Sequence, residues 1–351
     1  MLKKDLGLLI LILVVGTVVA LLNPRFVSQI NVANTANLIG LFGLFAIGQG
    51  FVIITGGIDL SVGSIFALLG VIFIDMIGLW GVPWPVAFLL TILGGVMLGG
   101  LHAFLVTRMK MQPFVVTLCG LLIYRGLARW YTGDGTAGFE FGQSFPALEW
   151  LTMGRSPIPY WLPESWGGPG FFPMPNSFIA FIIVALIMGV VLHRSVYGRY
   201  LFAVGKNEEA ARYSGINTRK VIAAAYLISG LLAGISTVYF AMYTRSISPA
   251  SHGNFYELYA IAAAVLGGCS LRGGEGSVLG IVLGAVLLQV LQNLVNLLGI
   301  ESSLNFAVMG GVILIGVIAD QQLVKYRTRK ANERKRALGH GALSPVAQQE
   351  K

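Results

Sequence analysis

The sequence predicts an all-α, polytopic membrane protein with about ten transmembrane helices and with both termini in the cytoplasm. The first observation behind this prediction is composition. Of the 351 residues, 56% are hydrophobic and 11% are charged, whereas about 25% of the residues in a typical soluble domain are charged. A chain of this composition cannot cover itself with a water-facing surface. The other two observations are the hydropathy along the chain and the placement of its basic residues.

Hydropathy predicts ten apolar segments of about the twenty residues that cross the hydrocarbon core of a bilayer. The first is expected to be an uncleaved helix and not a signal peptide, because no small-residue cleavage site closes it before Asn23. Together the spans define a transmembrane domain at 1–319, followed by a basic cytoplasmic tail at 320–351. The predicted spans are 6–22, 37–55, 61–79, 85–107, 113–131, 177–193, 221–243, 258–271, 277–297 and 303–319.

The basic residues give the orientation of these spans. Short cytoplasmic loops carry an excess of Lys and Arg, and ten spans with an internal N-terminus place 19 of the 24 basic residues on the cytoplasmic side. The even number of spans then puts the C-terminus inside as well. Because the basic tail directly follows a span, we expect it to contact anionic membrane lipid, and we expect no nucleic-acid binding.

Two loops are long enough to have functions of their own. The outer loop at 132–176 is rich in Pro, Gly and aromatic residues, among them Trp150, Trp161 and Trp166. It suits either a cap at the membrane interface or a docking surface for an extracytoplasmic partner. The inner loop at 194–220 carries a more specific pattern.

That inner loop predicts a short amphipathic helix. Asn207 is a suitable N-cap, Glu208 and Glu209 suit the first turn, and Gly215 suits the end. A helix of two turns is too short to be stable alone in water, so we expect a groove on a cytoplasmic partner to receive it. The sequence shows no phosphate-binding loop, no metal-ligand spacing and no catalytic triad, and it therefore predicts neither an enzyme nor a metal or nucleotide site in this chain.

A polar break, GGIDLSVGS at 56–64, interrupts two apolar spans. An ionised Asp59 at the bilayer centre would cost about 2.5–3.5 kcal/mol on insertion scales, and irregular backbone at that depth needs protein or water around it. Asp59 is open to three interpretations: N-cap of the third span, partner of a buried cation, or direct contact with a transported solute. The glycines and the Asp-x-Ser order favour a capped hairpin near the cytoplasmic end of the spans, made by Gly56, Gly57, Asp59, Ser61 and Gly63.

The ninth span carries amides along one helical face, at spacings of three, four and seven residues. These side chains suit either the lining of a pathway for a polar solute or hydrogen bonds between helices. They belong to Gln289, Gln292, Asn293 and Asn296. His102, in the fourth span, is interpreted as a packed or pore-facing residue and not as a metal ligand.

Pairs of glycines four residues apart recur in other spans and predict close approach of helix backbones. They occur at Gly95 and Gly99 and at Gly230 and Gly234, with a longer series at Gly276, Gly280 and Gly284.

Three motifs together resemble the permease subunits of bacterial ATP-driven importers of the ribose, xylose, arabinose and galactose group. They are GGIDLSVGS at 56–64, EEAARYSGIN at 208–217 and VLGGCSLRGGEGSVLG at 265–280. The resemblance implies that the second motif is a coupling helix received by an ATPase subunit. The residues implied in coupling are Asn207, Glu208, Glu209, Ala210, Ala211 and Gly215.

The same resemblance implies the setting in which the chain works. It implies a multi-pass protein of the bacterial inner membrane with three kinds of partner. These are a cytoplasmic ATP-binding subunit, an extracytoplasmic sugar-binding protein and a second permease subunit, identical or homologous to this chain. No cofactor is expected in this chain, since ATP would be bound by the partner subunit.

Two other classes of protein fit the sequence less well. An ion-coupled secondary sugar transporter needs ion ligands inside the membrane, and the spans contain few carboxylates. An intramembrane enzyme needs paired catalytic groups in adjacent spans, and the sequence offers no such pair.

Overall fold

The computed structural model describes residues 2–160 and 170–299 and the single positions 301, 304, 307, 310, 311 and 314. The chain divides into a unit of residues 1–302 and a unit of residues 303–351. The predicted tenth span at 303–319 and the basic tail at 320–351 fall in the second unit. Apart from those single positions, both lie outside the described residues.

The described part is mostly helical, and nine of the ten predicted spans coincide with helices. The α-helices are α1 (Leu2–Leu22), α2 (Gln29–Ile54), α3 (Val62–Gly78), α4 (Trp84–Thr107), α5 (Pro113–Thr132), α6 (Pro146–Met153), α7 (Asn176–His193), α8 (Val196–Lys206), α9 (Glu208–Tyr213), α10 (Thr218–Thr244), α11 (Tyr256–Leu266) and α12 (Val278–Leu297). The strands are β1 (Ala137–Gly138), β2 (Arg155–Tyr160), β3 (Gly170–Pro175) and β4 (Ser246–Ile247). Strand β1 pairs with β4 and β2 pairs with β3, both antiparallel.

Six helices of the described part are long and apolar enough to cross a membrane, namely α1, α2, α4, α7, α10 and α12. Helix α2 is central, since 83% of its apolar window is buried against 6% for α1. Helices α3 and α11 are apolar but shorter, with 17 and 11 residues. At about 1.5 Å per residue, α11 is about 16 Å long, half the thickness of the hydrocarbon core. It ends at Leu266 and not at position 271 as predicted.

Several helix ends meet at one end of the bundle, which we call the inner end. The amide of Gly274 donates to the carbonyl of Ile54 at 2.9 Å, and the ammonium of Lys206 lies 3.8 Å from the Glu275 carboxylate. The imidazole of His193 accepts a hydrogen bond from the amide of Val278 at 3.3 Å. The ends of α2, α7 and α8 therefore lie beside the loop that leads into α12.

The opposite end, which we call the outer end, is closed by the long loop between α5 and α7. The amide of Gln143 donates to the carbonyl of Gly78 at the end of α3, at 3.0 Å. The guanidinium of Arg245 at the end of α10 lies 2.8 Å from the carboxylate of Glu149. This loop contains α6 and the β2–β3 hairpin, which were not predicted. Trp150 is 63% exposed on it, while Trp161 and Trp166 lie outside the described residues.

The glycine pairs predicted to bring helices together do so between α4 and α10. A Cβ atom at Gly95 would collide with the carbonyl oxygen of Gly230, and one at Gly99 would collide with that of Tyr226. A Cβ at Gly230 would in turn collide with the carbonyl of Gly95. Dispersion contacts between backbones at this distance are what stabilises helix pairs in lipid, where burial from water contributes little. The prediction of close packing is confirmed here.

Candidate functional site

The break between α2 and α3 begins as a glycine turn and then folds back into the protein. Gly56 has a φ of +86°, a conformation that favours glycine. The returning chain runs beside α2, where the amide group of Gln49, oriented to satisfy both partners, pairs with the backbone N–H and C=O of Asp59 at 3.1 Å each. Asp59 is 1% exposed. The turn therefore lies at the inner end, whereas the carboxylate lies inside the bundle.

Hydroxyl and amide donors hold the carboxylate of Asp59. One oxygen accepts from the amide and the hydroxyl of Ser61, at 2.9 and 2.6 Å. The other accepts from the hydroxyl of Ser229 on α10, at 2.9 Å. Hydrogen bonds of this kind offset the desolvation of a buried carboxylate. In the described part of the chain, no Lys or Arg forms an ion pair with Asp59.

One interpretation of Asp59 needs correction. The N-cap of α3 is Ser61, and its side chain makes no capping hydrogen bond. Asp59 lies two residues before that position, and its carboxylate fixes the turn that leads into the helix. The prediction that Asp59 is the N-cap is thus wrong by two residues, because the carboxylate is drawn to Ser229 and to the Ser61 amide.

A buried polar chain continues from Ser61 to α5. The Ser61 hydroxyl lies 3.5 Å from Nδ1 of His102, and Nε2 of His102 lies 2.9 Å from the Tyr124 hydroxyl. His102 is 1% exposed, so of its two interpretations the packed one describes its position. Through these buried polar side chains, and through the bond from Ser229 to Asp59, the first break is connected to α4, α5 and α10.

A second break separates α10 from α11 and enters from the outer end. After β4, residues 248–255 are not helical, and α11 begins at Tyr256. Gly63, at the start of α3, meets Gly253 there: a Cβ on either residue would collide with the carbonyl oxygen of the other. Because α11 is about 16 Å long and its last residue leads into the loop at the inner end, this meeting point lies about 16 Å from that end, which is about half the thickness of a hydrocarbon core.

Arg125 on α5 joins the two breaks. Its guanidinium donates to the carbonyl oxygens of Pro249, at 2.7 Å, and of His252, and it reaches that of Gly63 at 3.5 Å. Glu257, in the first turn of α11, is 7% exposed and lies close enough to Arg125 for their charges to interact. The sequence predicted no site here, although an Arg inside the fifth predicted span is a signal for one.

The predicted helix in the inner loop is present as α9. The side chain of Asn207 accepts from the amide of Ala210 at 2.9 Å and caps the helix. Glu208 and Glu209 occupy the first turn, and Gly215 has a φ of +82°. Ala211 is buried, whereas Glu209 and the other implied coupling residues are exposed. The helix and its cap are confirmed, and the coupling role stays a prediction.

Helix α9 borders a groove of about 860 Å³ at the inner end. The glycine turn of the first break forms one wall, through Gly56 and Gly57, and the loop between α4 and α5 forms another. Glu208, Glu209 and Gly215 line the α9 side. Two of the three motifs that carry the family resemblance, at 56–64 and 208–217, therefore share one groove.

The amides of α12 lie in mixed surroundings. Asn293 exchanges hydrogen bonds with Asn31 of α2, at 3.0 and 2.8 Å, which supports the interhelical interpretation at this position. Gln289 is 3% exposed, and its side-chain oxygen lacks a partner among the described residues. Gln292 is half-buried and Asn296 is exposed. For these three residues the lining of a pathway stays a prediction.

Comparison with known proteins gives one family. Residues 31–317 match the family described as "Branched-chain amino acid transport system / permease component". The chain is 36% identical over 318 residues to the ribose import permease protein RbsC of Bacillus subtilis strain 168, covering 90% of this chain and 91% of the relative. It is 34% identical over 323 residues to RbsC of Escherichia coli K12, covering 91% and 93%. It is 30% identical over 366 residues to the xylose transport system permease protein XylH of Escherichia coli K12, covering 90% and 93%.

Proposed function

This chain belongs to the family of branched-chain amino acid transport system permease components, and from that premise we propose that it is the permease subunit of an ATP-binding cassette importer for a monosaccharide or a similar small sugar. The relatives compared above are named for ribose and xylose, which supports a sugar over an amino acid. Energy would come from ATP bound by a separate ATPase subunit, and this chain would be no enzyme. The chain itself is a multi-pass protein of the inner membrane.

The observation that carries this proposal is α9. It is a separately capped helix of six residues at the inner end, and it buries Ala211 while Glu209 and Ala210 remain exposed. A helix this short gains little stability by itself, so its exposed face is suited to a groove on another protein. We assign coupling to the residues predicted for it, Asn207, Glu208, Glu209, Ala210, Ala211 and Gly215.

The topology we propose has ten spans and cytoplasmic termini. The loops that hold most of the basic residues of the described part, including Lys110 and Lys206, lie at the inner end with α9. This distribution supports a cytoplasmic inner end. The remaining proposed partners are a sugar-binding protein at the outer end, a second permease subunit, and membrane lipid around the spans.

The test of coupling is Glu209→Lys in the importer reconstituted with its ATPase and binding protein. We expect sugar uptake to fall by about tenfold or more, since a reversed charge opposes docking of the helix, with membrane insertion unchanged. Glu140→Lys is the matched control, because Glu140 is an exposed acidic residue of the outer loop. Full uptake by Glu209→Lys together with normal subunit assembly would refute the coupling assignment.

An ion-coupled secondary sugar transporter is the second candidate, and the burial of Asp59 in a helix break favours it. Carriers of that class place ion ligands at such breaks. Proteoliposomes separate the two candidates by their energy source. We expect uptake to require ATP on the cytoplasmic side and to continue when sodium and proton gradients are collapsed. Uptake driven by a gradient in the absence of ATP would favour the carrier.

A further inference from the structure

Residues 248–255, which we call the re-entrant segment, carry non-helical backbone into the middle of the membrane. The segment starts beside β4 near the outer end and reaches Gly253, which meets Gly63 at the first residues of α3. From there, the 11 residues of α11 extend to the inner end. The re-entrant segment therefore takes the place of the outer half of a membrane helix.

The surroundings of this segment are unsuited to lipid. Ser251 and Asn254 are exposed. Within the segment there are three hydrogen bonds between backbone groups, and their acceptors are the carbonyl oxygens of Ser248 and Ser251. Non-helical backbone at this depth is tolerated only where protein buries it or where it lines a water-filled cavity. This chain by itself leaves both polar side chains exposed, and the second condition is the one on which our proposal rests.

We propose that the re-entrant segment is a wall of the water-filled path that the sugar follows through the middle of the membrane, with Arg125 holding that wall in place. This rests on the proposed function and adds to it the part of the chain that meets the substrate. A sugar is neutral and covered in hydroxyl groups, so its path needs hydrogen-bonding groups that bind weakly. The hydroxyl of Ser251 and the amide of Asn254 are groups of that kind.

Arg125 acts on the wall as a positioning residue. Its guanidinium is already engaged by the carbonyls of Pro249 and His252 and approaches that of Gly63. A guanidinium presents several donors in a fixed planar fork, so it can hold two carbonyls at once, which an ammonium on a flexible stem does less well. The acidic side chain of Glu257 lies within electrostatic range of this guanidinium. Arg125 thus ties the re-entrant segment to the start of α3.

The location differs from the pathway lining predicted from α12. There, Asn293 is engaged by Asn31. Among the described residues, the side chain of Asn254 donates only to the carbonyl of Ala250, within its own segment. A side chain with exposed surface and a local partner remains open to a passing solute. The proposal therefore places the first sugar contacts at the junction of α5, α3 and α11.

Thiol accessibility tests whether the wall meets water. Asn254→Cys is made in a Cys119→Ser background, because Cys119 is exposed whereas Cys269 is buried. The assembled importer is treated in liposomes with a charged, membrane-impermeant methanethiosulfonate. A thiol reacts as the thiolate, which forms in water and not in hydrocarbon, so we expect Asn254→Cys to react about tenfold or more faster than a lipid-facing cysteine.

Ile183→Cys is the matched lipid-facing control, since Ile183 lies near the middle of α7 and is 52% exposed. Sugar-loaded binding protein with ATP should slow the labelling of Asn254→Cys and leave Ile183→Cys unchanged. Labelling of Asn254→Cys no faster than the control in every state would overturn the proposal. If the Cys119→Ser importer still takes up sugar in that case, the proposed function stands and only the wall is wrong.

Variants of Arg125 test the positioning role. We expect Arg125→Gln to lower the maximal uptake rate by about tenfold or more and Arg125→Lys to recover part of it, with stimulated ATP hydrolysis retained in both. Arg129→Gln is the control, because Arg129 lies one turn further along α5 and pairs with the exposed Asp134. Loss of assembly in Arg125→Lys and Arg125→Gln alike would show a purely structural role and overturn this part of the proposal.

Discussion

Gly63 and Gly253 touch backbone to backbone, although 190 positions separate them in the sequence; a Cβ on either would overlap the carbonyl oxygen of the other. Each residue belongs to a break in a membrane helix, one entering from the inner end and one from the outer end. The contact holds the first turn of α3 beside the backbone that leads into α11.

Replacing Gly253 by Ala should destabilise the protein. Gly253 has a φ of +78°, and a left-handed backbone costs a residue with a Cβ roughly 1–2 kcal/mol, to which the collision with Gly63 adds. We expect a lower Tm for the variant in detergent. Gly126→Ala is the control, because a Cβ there meets nothing within 4 Å and alanine favours a helix. Equal Tm values for the two variants would contradict the contact.

Replacing Gly230 by Val should separate α4 from α10. The added side chain would overlap the carbonyl of Gly95, and overpacking of a tight contact costs about 1–3 kcal/mol. We expect reduced yield of folded protein and a lower Tm. Gly189→Val is a suitable comparison, since the space around Gly189 on α7 is open. If Gly230→Val folds as well as Gly189→Val, the close packing is not needed for stability.

Removing the carboxylate of Asp59 should cost more than neutralising it. Asp59→Ala leaves the hydroxyls of Ser61 and Ser229 without their acceptor, at about 1–3 kcal/mol for unsatisfied buried groups. Asp59→Asn keeps one acceptor oxygen in place. We therefore expect the order wild type, Asn, Ala in thermal stability. An Ala variant as stable as wild type would show that these hydrogen bonds contribute nothing net.

Loss of the cap on α9 should weaken coupling without unfolding the bundle. Asn207→Ala removes the hydrogen bond to the Ala210 amide, and the loss of such a cap costs about 1 kcal/mol of helix stability. We expect less uptake per ATP hydrolysed and an unchanged Tm. Tyr213→Phe, at an exposed position of the same helix, should behave as wild type. Unchanged uptake per ATP in Asn207→Ala would contradict the proposal that α9 couples ATP hydrolysis to transport.

Hydropathy and local rules predicted the helices well. Nine apolar segments coincide with helices, and α9 follows from a cap, two acidic residues and a glycine, all of which act within a few residues. The predicted eighth span, 258–271, ends five residues beyond α11, which stops at Leu266. Hydropathy alone did not show this end, nor the non-helical backbone at 248–255 that precedes α11.

The residues around the two breaks were harder to predict, for a physical reason. The main partners of Arg125 are backbone carbonyls, which every sequence contains and no pattern marks. The partner of Asp59 across the bundle is Ser229, 170 residues away, and a lone serine inside a span resembles any packing residue. These contacts belong to the tertiary structure, so only the fold brings the residues together.

Tyr124 and Arg125 are neighbours on α5, yet Tyr124 bonds to the polar chain of the first break and Arg125 to the backbone of the second. A helix moves its consecutive residues together, because their spacing is fixed by its own hydrogen bonds. Any tilt or rotation of α5 must therefore pull on both breaks in the same instant or rupture one of these bonds. The two breaks lie far apart in the sequence, yet both are mechanically coupled to the same helix, α5.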